Sequence, residues 1–269
     1  MNGASSLVTT LVGSGVDVCF TNPGTSEMHF VSALDKVDGM RAILALFEGV
    51  VTGAADGYYR MADRPASTLL HLGPGLGNGI ANLHNAKKAG SGIVNIVGEH
   101  ASWHLKHDAP LTCDIEGLAR PVSAWVRTSP NATSVAADAA EAVMAASTPP
   151  GQIATLILPG DTAWNAAKAA APRRPAPQRA KPDGSAIEAA ARVLALREPT
   201  LIVLAGRALR GDALEVAGRI AARTGCVVAT QFFSSRIERG AGRVAAFRIP
   251  YAVELALKAL APNRHIITV

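Results

Sequence analysis

Apolar residues in this chain gather in short unbroken runs: "VDVCFT" (16–21), "RAILAL" (41–46), "STLLHL" (67–72), "GIVNIVG" (92–98), "VSAWVR" (122–127) and "IATLILP" (153–159). A sheet with one wet face would impose alternation along each strand. Continuous apolar character instead predicts strands buried on both faces of a parallel sheet. Between these runs lie longer stretches of mixed character: "GASSLVTTLVGSG", "SEMHFVSALDKV", "EGVVTGAADGYYRMAD", "GNGIANLHNAKKAG" and "VAADAAEAVMAAS". They read as helices. Strand and helix in turn predict a doubly wound α/β domain over residues 1–168.

Residues 169–184 shift to Ala, Pro and Arg. Proline supplies no N–H to a helix or a ladder, so this stretch reads as a semi-rigid linker. The grammar then resumes with helix "AIEAAARVLALR", strand "TLIVLAG", helix "ALEVAGRIAART", strand "CVVAT", a loop through "FFSSRIERGAGR", helix "PYAVELALKALA" and strand "HIITV". Residues 185–269 are therefore expected to form part of a second α/β domain. Because the last residues are still building a strand, the expectation is an N-terminal portion of a longer protein.

Composition narrows the class. The 269 residues are 49% hydrophobic, ample for a buried core. No run approaches the ~18 apolar residues of a membrane span, and the N-terminus lacks the basic region of a secretory signal. A cytoplasmic protein is expected. Cys19, Cys113 and Cys226 lie far apart with no CxxC pair, which suggests buried thiols rather than disulfides or a metal site. The net charge of +5 comes largely from "PRRPAPQRAK" (172–181), and aromatic residues make up 4% of the chain. That pattern fits a solvated basic linker and not a nucleic-acid surface.

Four stretches carry candidate chemistry. In "FTNPGTSEMHF" (20–30) a strand enters an Asn-Pro-Gly turn, after which Thr25 or Ser26 caps a helix with Glu27 in its first turn. "HLGPGLGNGIAN" (71–82) reads as a Gly-rich turn between strand and helix, where backbone can approach a ligand. A dinucleotide site is an alternative there, with Glu99 as the ribose acid, although Asn78 stands where the third glycine belongs. "GEHASWHLKHDAP" (98–110) spaces His100, His104 and His107 for a metal site if it is helical; Pro110 and the position after a strand favour a loop at a cleft rim. Finally, Glu48 follows the apolar "LALF" and precedes small residues. It reads either as a first-turn acid favoured by the helix dipole or as a desolvated carboxyl, held protonated, that hydrogen-bonds a ligand nitrogen. P-loop and GxSxG signatures are missing.

Taken in order, "TNPGTSE", "LALFEGVVTGAADGYYRMAD" and "HLGPGLGNGIANLHNA" closely resemble the pyrimidine-binding domain of thiamine diphosphate enzymes, in the acetolactate synthase and benzoylformate decarboxylase group. The resemblance covers residues 1–165, and more loosely 185–269 as the first part of the family's central domain. It implies that Glu48 bonds N1′ of the cofactor's aminopyrimidine and so promotes the tautomer that acts as base. It implies that Asn22, Pro23, Gly24, Thr25, Gly73 and Pro74 line the site, with Asn78 and Asn82 beside the aminopyrimidine. His71 matches an active-site histidine of benzoylformate decarboxylase; a core histidine is the alternative. Mg²⁺ and diphosphate would be held by a C-terminal domain absent from this sequence, so no metal ligands are expected here. FAD, which some synthases of the group bind, is left open. The implied activity is decarboxylation of a 2-oxo acid such as pyruvate with carboligation, in a homodimer or homotetramer whose cofactor sits between subunits. The alternatives are a non-ligating decarboxylase and a non-catalytic module of the same fold. The chain alone is expected to be inactive.

Overall fold

The computed structural model describes residues 1–269 and divides them into two compact units, Met1–Gln178 and Arg179–Val269. In the first, β1 (Val18–Asn22), β2 (Arg41–Leu44), β3 (Ala66–Leu70), β4 (Ile93–Glu99), β5 (Trp125–Thr128) and β6 (Ile153–Pro159) form one sheet in the order β2-β1-β3-β4-β6-β5. Every pairing is parallel. Helices α1 (Gly3–Gly13), α2 (Met28–Lys36), α6 (Val135–Ser147) and α7 (Gly160–Trp164) cover one face; α3 (Glu48–Ala62), α4 (Leu72–Ala89) and α5 (Ile115–Ala119) cover the other. The expected doubly wound sheet is therefore present.

Strands β1, β3, β4 and β6 are buried almost throughout, as unbroken apolar runs require. Strand β2 is not. It is an edge strand with one neighbour, and the apolar residues at and after its end stand open, Leu44 at 67% exposure and Leu46 at 91%. An apolar run reports that a residue needs cover; it does not say whether the same chain supplies it.

Two further departures bear on the site. Helix α4 starts at Leu72, not near residue 77, so the Gly-rich segment is its first turns rather than a loop. Pro74 permits this because the first four N–H groups of a helix have no intrahelical partner to lose. The entry is tight: Leu72 takes a positive φ of 49°, a sparsely allowed conformation for a branched residue. Helices α5 and α7 are short and had no recognisable period.

The buried face beneath α3 and α4 carries a polar ladder. Thr68 donates to Asn95 Oδ1 at 2.7 Å, Asn95 Nδ2 donates to Thr155 Oγ1 at 3.0 Å, and Thr155 meets Ser123 Oγ at 2.7 Å. These groups satisfy one another across β3, β4 and β6, which is what permits polar residues inside. The Pro-rich stretch begins against this unit: Ser6 Oγ donates to Ala169 O, and Ala171 N–H donates to Thr10 Oγ1.

The second unit comprises α8 (Gly184–Ala195), β7 (Thr200–Leu204), α9 (Gly211–Thr224), β8 (Val227–Thr230), β9 (Phe247–Arg248), α10 (Val253–Leu260) and β10 (His265–Thr268), with a parallel sheet ordered β10-β7-β8-β9. Its core gathers Leu204, Leu209, Leu214 and Val228. No helix of the chain is long and apolar enough to cross a membrane.

Candidate functional site

Strands β1 and β3 are neighbours whose connections run to opposite sides, since β1 leads to β2 and β3 leads to β4. Such a reversal opens a crevice at the C-terminal ends of the strands, the usual ligand position in open α/β sheets. The three segments singled out in the sequence meet there.

Asn22 closes β1 in register with Leu70, which places the Asn-Pro-Gly turn beside His71. Neither Thr25 nor Ser26 caps a helix. Thr25–Glu27 is a 3₁₀ turn, and the Glu27 carboxylate itself reaches back to accept the Gly24 N–H at 2.7 Å. Glu27 is 2% exposed, and the same oxygen lies 2.7 Å from His71 Nδ1. Gly24 packs on that ring: a Cβ there would fall 2.4 Å from His71 Nδ1 and Cε1, so the position admits no side chain without moving the imidazole.

On the far side of His71 stands Gly75. A Cβ at Gly75 would lie 3.4 Å from His71 Cβ and 3.5 Å from Glu48 Oε1, so this glycine separates the histidine from the glutamate. Glu48 opens α3, where the helix dipole favours an acid. Asn78 Nδ2 donates to Glu48 Oε2 at 3.1 Å, and one turn on Asn82 Nδ2 donates to Gly49 O at 2.7 Å. Thr52 completes the joint by donating to Gly79 O at 3.0 Å. The two asparagines thus tie α4 to the first turn of α3 and orient Glu48.

Of the nominated residues, Glu48, His71, Gly24, Asn78 and Asn82 are brought into mutual contact or onto the same few atoms. Pro23 and Thr25 sit on the turn above them, and Thr25 is exposed. Gly73 packs against Cys113, whose Sγ would lie 2.8 Å from an added Cβ, and Pro74 is exposed in the first turn of α4. Glu48 is half-buried, not enclosed as its apolar prefix suggested, because Leu46 and Phe47 beside it are open. Cys19 and Cys226 are buried as expected, whereas Cys113 is exposed and departs from that expectation; burial pushes the Cys19 thiol up to about 12.

Sequence reasoning passed over Glu27 as a first-turn acid. Burial raises its pKa, while the Gly24 N–H and His71 pull it back. Glu99, at the end of β4, is 6% exposed and likewise raised, first by burial and further by the Glu27 charge, with the His100 N–H opposing. The signal available in sequence was an acid placed directly at a strand's C-terminal end. The His100–His104–His107 segment is a loop with a 3₁₀ turn, its rings meeting edge-on and tilted at centroid distances of 5.6 and 5.4 Å. No group of three His, Cys, Asp or Glu side chains is arranged to hold a metal ion.

Residues 1–118 match the family described as "Thiamine pyrophosphate enzyme, N-terminal TPP binding domain". The matched stretch lies within the first unit and takes in the three segments that meet at the crevice. Across 267 residues the chain is 52% identical to a Mycobacterium tuberculosis protein described as "Putative acetolactate synthase large subunit IlvX", covering 99% of this chain and 51% of that one. It is 34% identical over 148 residues to the benzoylformate decarboxylase of Pseudomonas aeruginosa, covering 55% of this chain and 28% of that one. The thiamine diphosphate-dependent 4-hydroxybenzoylformate decarboxylase of Rhodococcus jostii RHA1 shares the fold, with a TM-score of 0.87 at 22% identity, over 100% of this chain and 52% of that one. The chain spans about half the length of the relatives it matches most fully. Within the stretch that matches this family, the crevice at β1 and β3 carries Glu48 and His71 on either side of Gly75.

Proposed function

We propose that the chain is the N-terminal portion of a thiamine diphosphate-dependent enzyme acting on 2-oxo acids, with acetolactate synthase-like carboligation as the reaction. The observation that carries this reading is Glu48. Its carboxylate is fixed by Asn78 through one oxygen, while the other lies beside Gly75, which also borders His71. A free, oriented carboxyl oxygen at a glycine surface fits an aminopyrimidine nitrogen held close to backbone. Bound thiamine diphosphate would supply the electron sink for loss of carbon dioxide. Glu48 would hold a proton at the ring nitrogen, and Asn78 and Asn82 would keep its helix turn in place. Asn22, Pro23, Gly24, Thr25, Gly73 and Pro74 would shape the wall. Mg²⁺ and the diphosphate would be met by residues outside this chain.

The apolar strip of Leu44, Leu46, Phe47 and Val50 flanks Glu48 and stands exposed, which supports a second subunit covering the site in a homodimer or homotetramer. Three free thiols and no disulfide fit a reducing, cytoplasmic setting. A non-ligating decarboxylase is the second reading. It is favoured by His71, whose half-buried ring sits at the end of β3 in the same crevice as Glu48.

The test is Glu48→Gln in the native-length protein, assayed with pyruvate, thiamine diphosphate and Mg²⁺. A loss of at least ~10²-fold in turnover supports the catalytic reading. Unchanged turnover would leave a non-catalytic module. An acyloin formed from two substrates identifies the ligase; aldehyde alone identifies the decarboxylase.

A further inference from the structure

The mechanism sketched above uses His71 and leaves its partner unexplained. Glu27 is a carboxylate with a 1% exposed side chain, held by a backbone N–H and an imidazole, and its second oxygen, Oε1, is buried without a hydrogen-bond partner. That oxygen presses on strand β4, where a Cβ at Gly98 would lie 1.6 Å away. A buried carboxyl group in such a place destabilises the fold unless it does something for its neighbours.

The hydrogen-bond roles follow from the donors present. Glu27 Oε2 already accepts the Gly24 N–H, and an ionised carboxylate can only accept. Its 2.7 Å contact with His71 Nδ1 is then complementary when the ring carries its proton on Nδ1. Gly24 lies over the Nδ1–Cε1 edge of the ring, which prevents the imidazole from rocking off this bond. The charged and titratable groups around the pair come from each packed element: Glu27 from the β1 turn, His71 from the β3–α4 junction, Glu99 from β4, and Glu48 from α3 across Gly75. The Glu27 charge opposes ionisation of Glu99, and His71 favours ionisation of Glu27.

We infer that Glu27 is the positioning residue of His71: it holds the ring as the Nδ1–H tautomer, so that Nε2 is the one atom that exchanges a proton in the crevice. The chemical meaning of this arrangement rests on the proposed acid–base role of His71; the arrangement itself does not. Because Oε2 makes both bonds, Glu27→Gln can keep an oxygen there and lose only the charge, whereas Glu27→Ala removes both.

The experiment is a long-range ¹H–¹⁵N correlation spectrum of the full chain with ¹⁵N-labelled histidine, recorded above the titration of His71. The expected result is an Nδ1–H signature for His71 in the wild type, preserved in Glu27→Gln and replaced by an Nε2–H signature or a tautomer mixture in Glu27→Ala. An Nε2–H ring in the wild type overturns the inference, and so does an Nδ1–H ring that persists in Glu27→Ala. The wild-type spectrum decides even if the alanine variant fails to fold. Turnover of native-length His71→Ala separates the two ideas: with the expected spectra, unchanged turnover leaves Glu27 as positioning residue and removes the acid–base role of His71.

Discussion

Replacing Gly98 by alanine sets one methyl group against one carboxylate. Gly98 lies in β4 between β3 and β6, and its φ is not positive, so the backbone accepts alanine. Its Cβ would lie 1.6 Å from Glu27 Oε1, 2.5 Å from Cδ and 2.8 Å from Cγ. Ordinary contact needs a separation of about 3.5 Å, so the carboxylate must retreat by ~2 Å. A movement of that size breaks its bonds to the Gly24 N–H and to His71, each charge-assisted and worth about 1.5–3 kcal/mol. Escape from burial returns part of this, and alanine in place of glycine returns ~0.5–1 kcal/mol through the unfolded chain. The net loss is about 3 kcal/mol, and at ~2–4 °C per kcal/mol the midpoint should fall by roughly 10 °C. All three tryptophans, Trp103, Trp125 and Trp164, lie in the first unit, so tryptophan fluorescence follows that unit alone. The control is the same substitution in a Glu27→Ala background. With the carboxylate gone, Gly98→Ala should be neutral or stabilising by up to ~1 kcal/mol. An equal loss in both backgrounds would refute the reasoning, because the methyl group would then be clashing with something other than Glu27.

Further outcomes follow from the same packing. Asn95→Ala removes the middle of the buried ladder and strands Thr68 Oγ1, which should destabilise the first unit by about 2–3 kcal/mol in urea unfolding; Thr68→Val with Asn95→Ala should lose less than the sum of the single changes. Glu99→Gln tests linkage. A carboxyl group whose folded pKa is raised contributes stability that is fully present below its unfolded value and is lost as pH rises through the folded one. The melting temperature of Glu99→Gln relative to wild type should therefore climb between pH 4 and pH 8, and a flat difference would remove burial as the cause. On the proposed catalytic reading, Asn78→Ala in the native-length protein should lower turnover by less than Glu48→Gln, since it loosens the carboxylate without removing it.

The sheet was legible in the sequence because burial on both faces removes the alternation of apolar and charged positions, and the mostly apolar runs of β1, β3, β4 and β6 met that condition. The place of Glu48 at the head of α3 was legible too, since an acid between an apolar run and a small-residue stretch marks a helix start that the dipole favours. Tertiary structure decided the rest. The Gly-rich segment became the start of α4 because a proline in the first turn forfeits no hydrogen bond, a fact invisible to a search for loops. The apolar run at β2 became an open edge because burial depends on which strand finds a second neighbour. Glu27 gained its place from His71, forty-four positions away in the chain, and from the missing side chain at Gly98. Local pattern records what a segment needs, such as cover, a cap or a turn. Which distant residue meets that need is settled only when β1, β3 and β4 lie side by side, because pairing in a parallel sheet joins segments that share no local sequence.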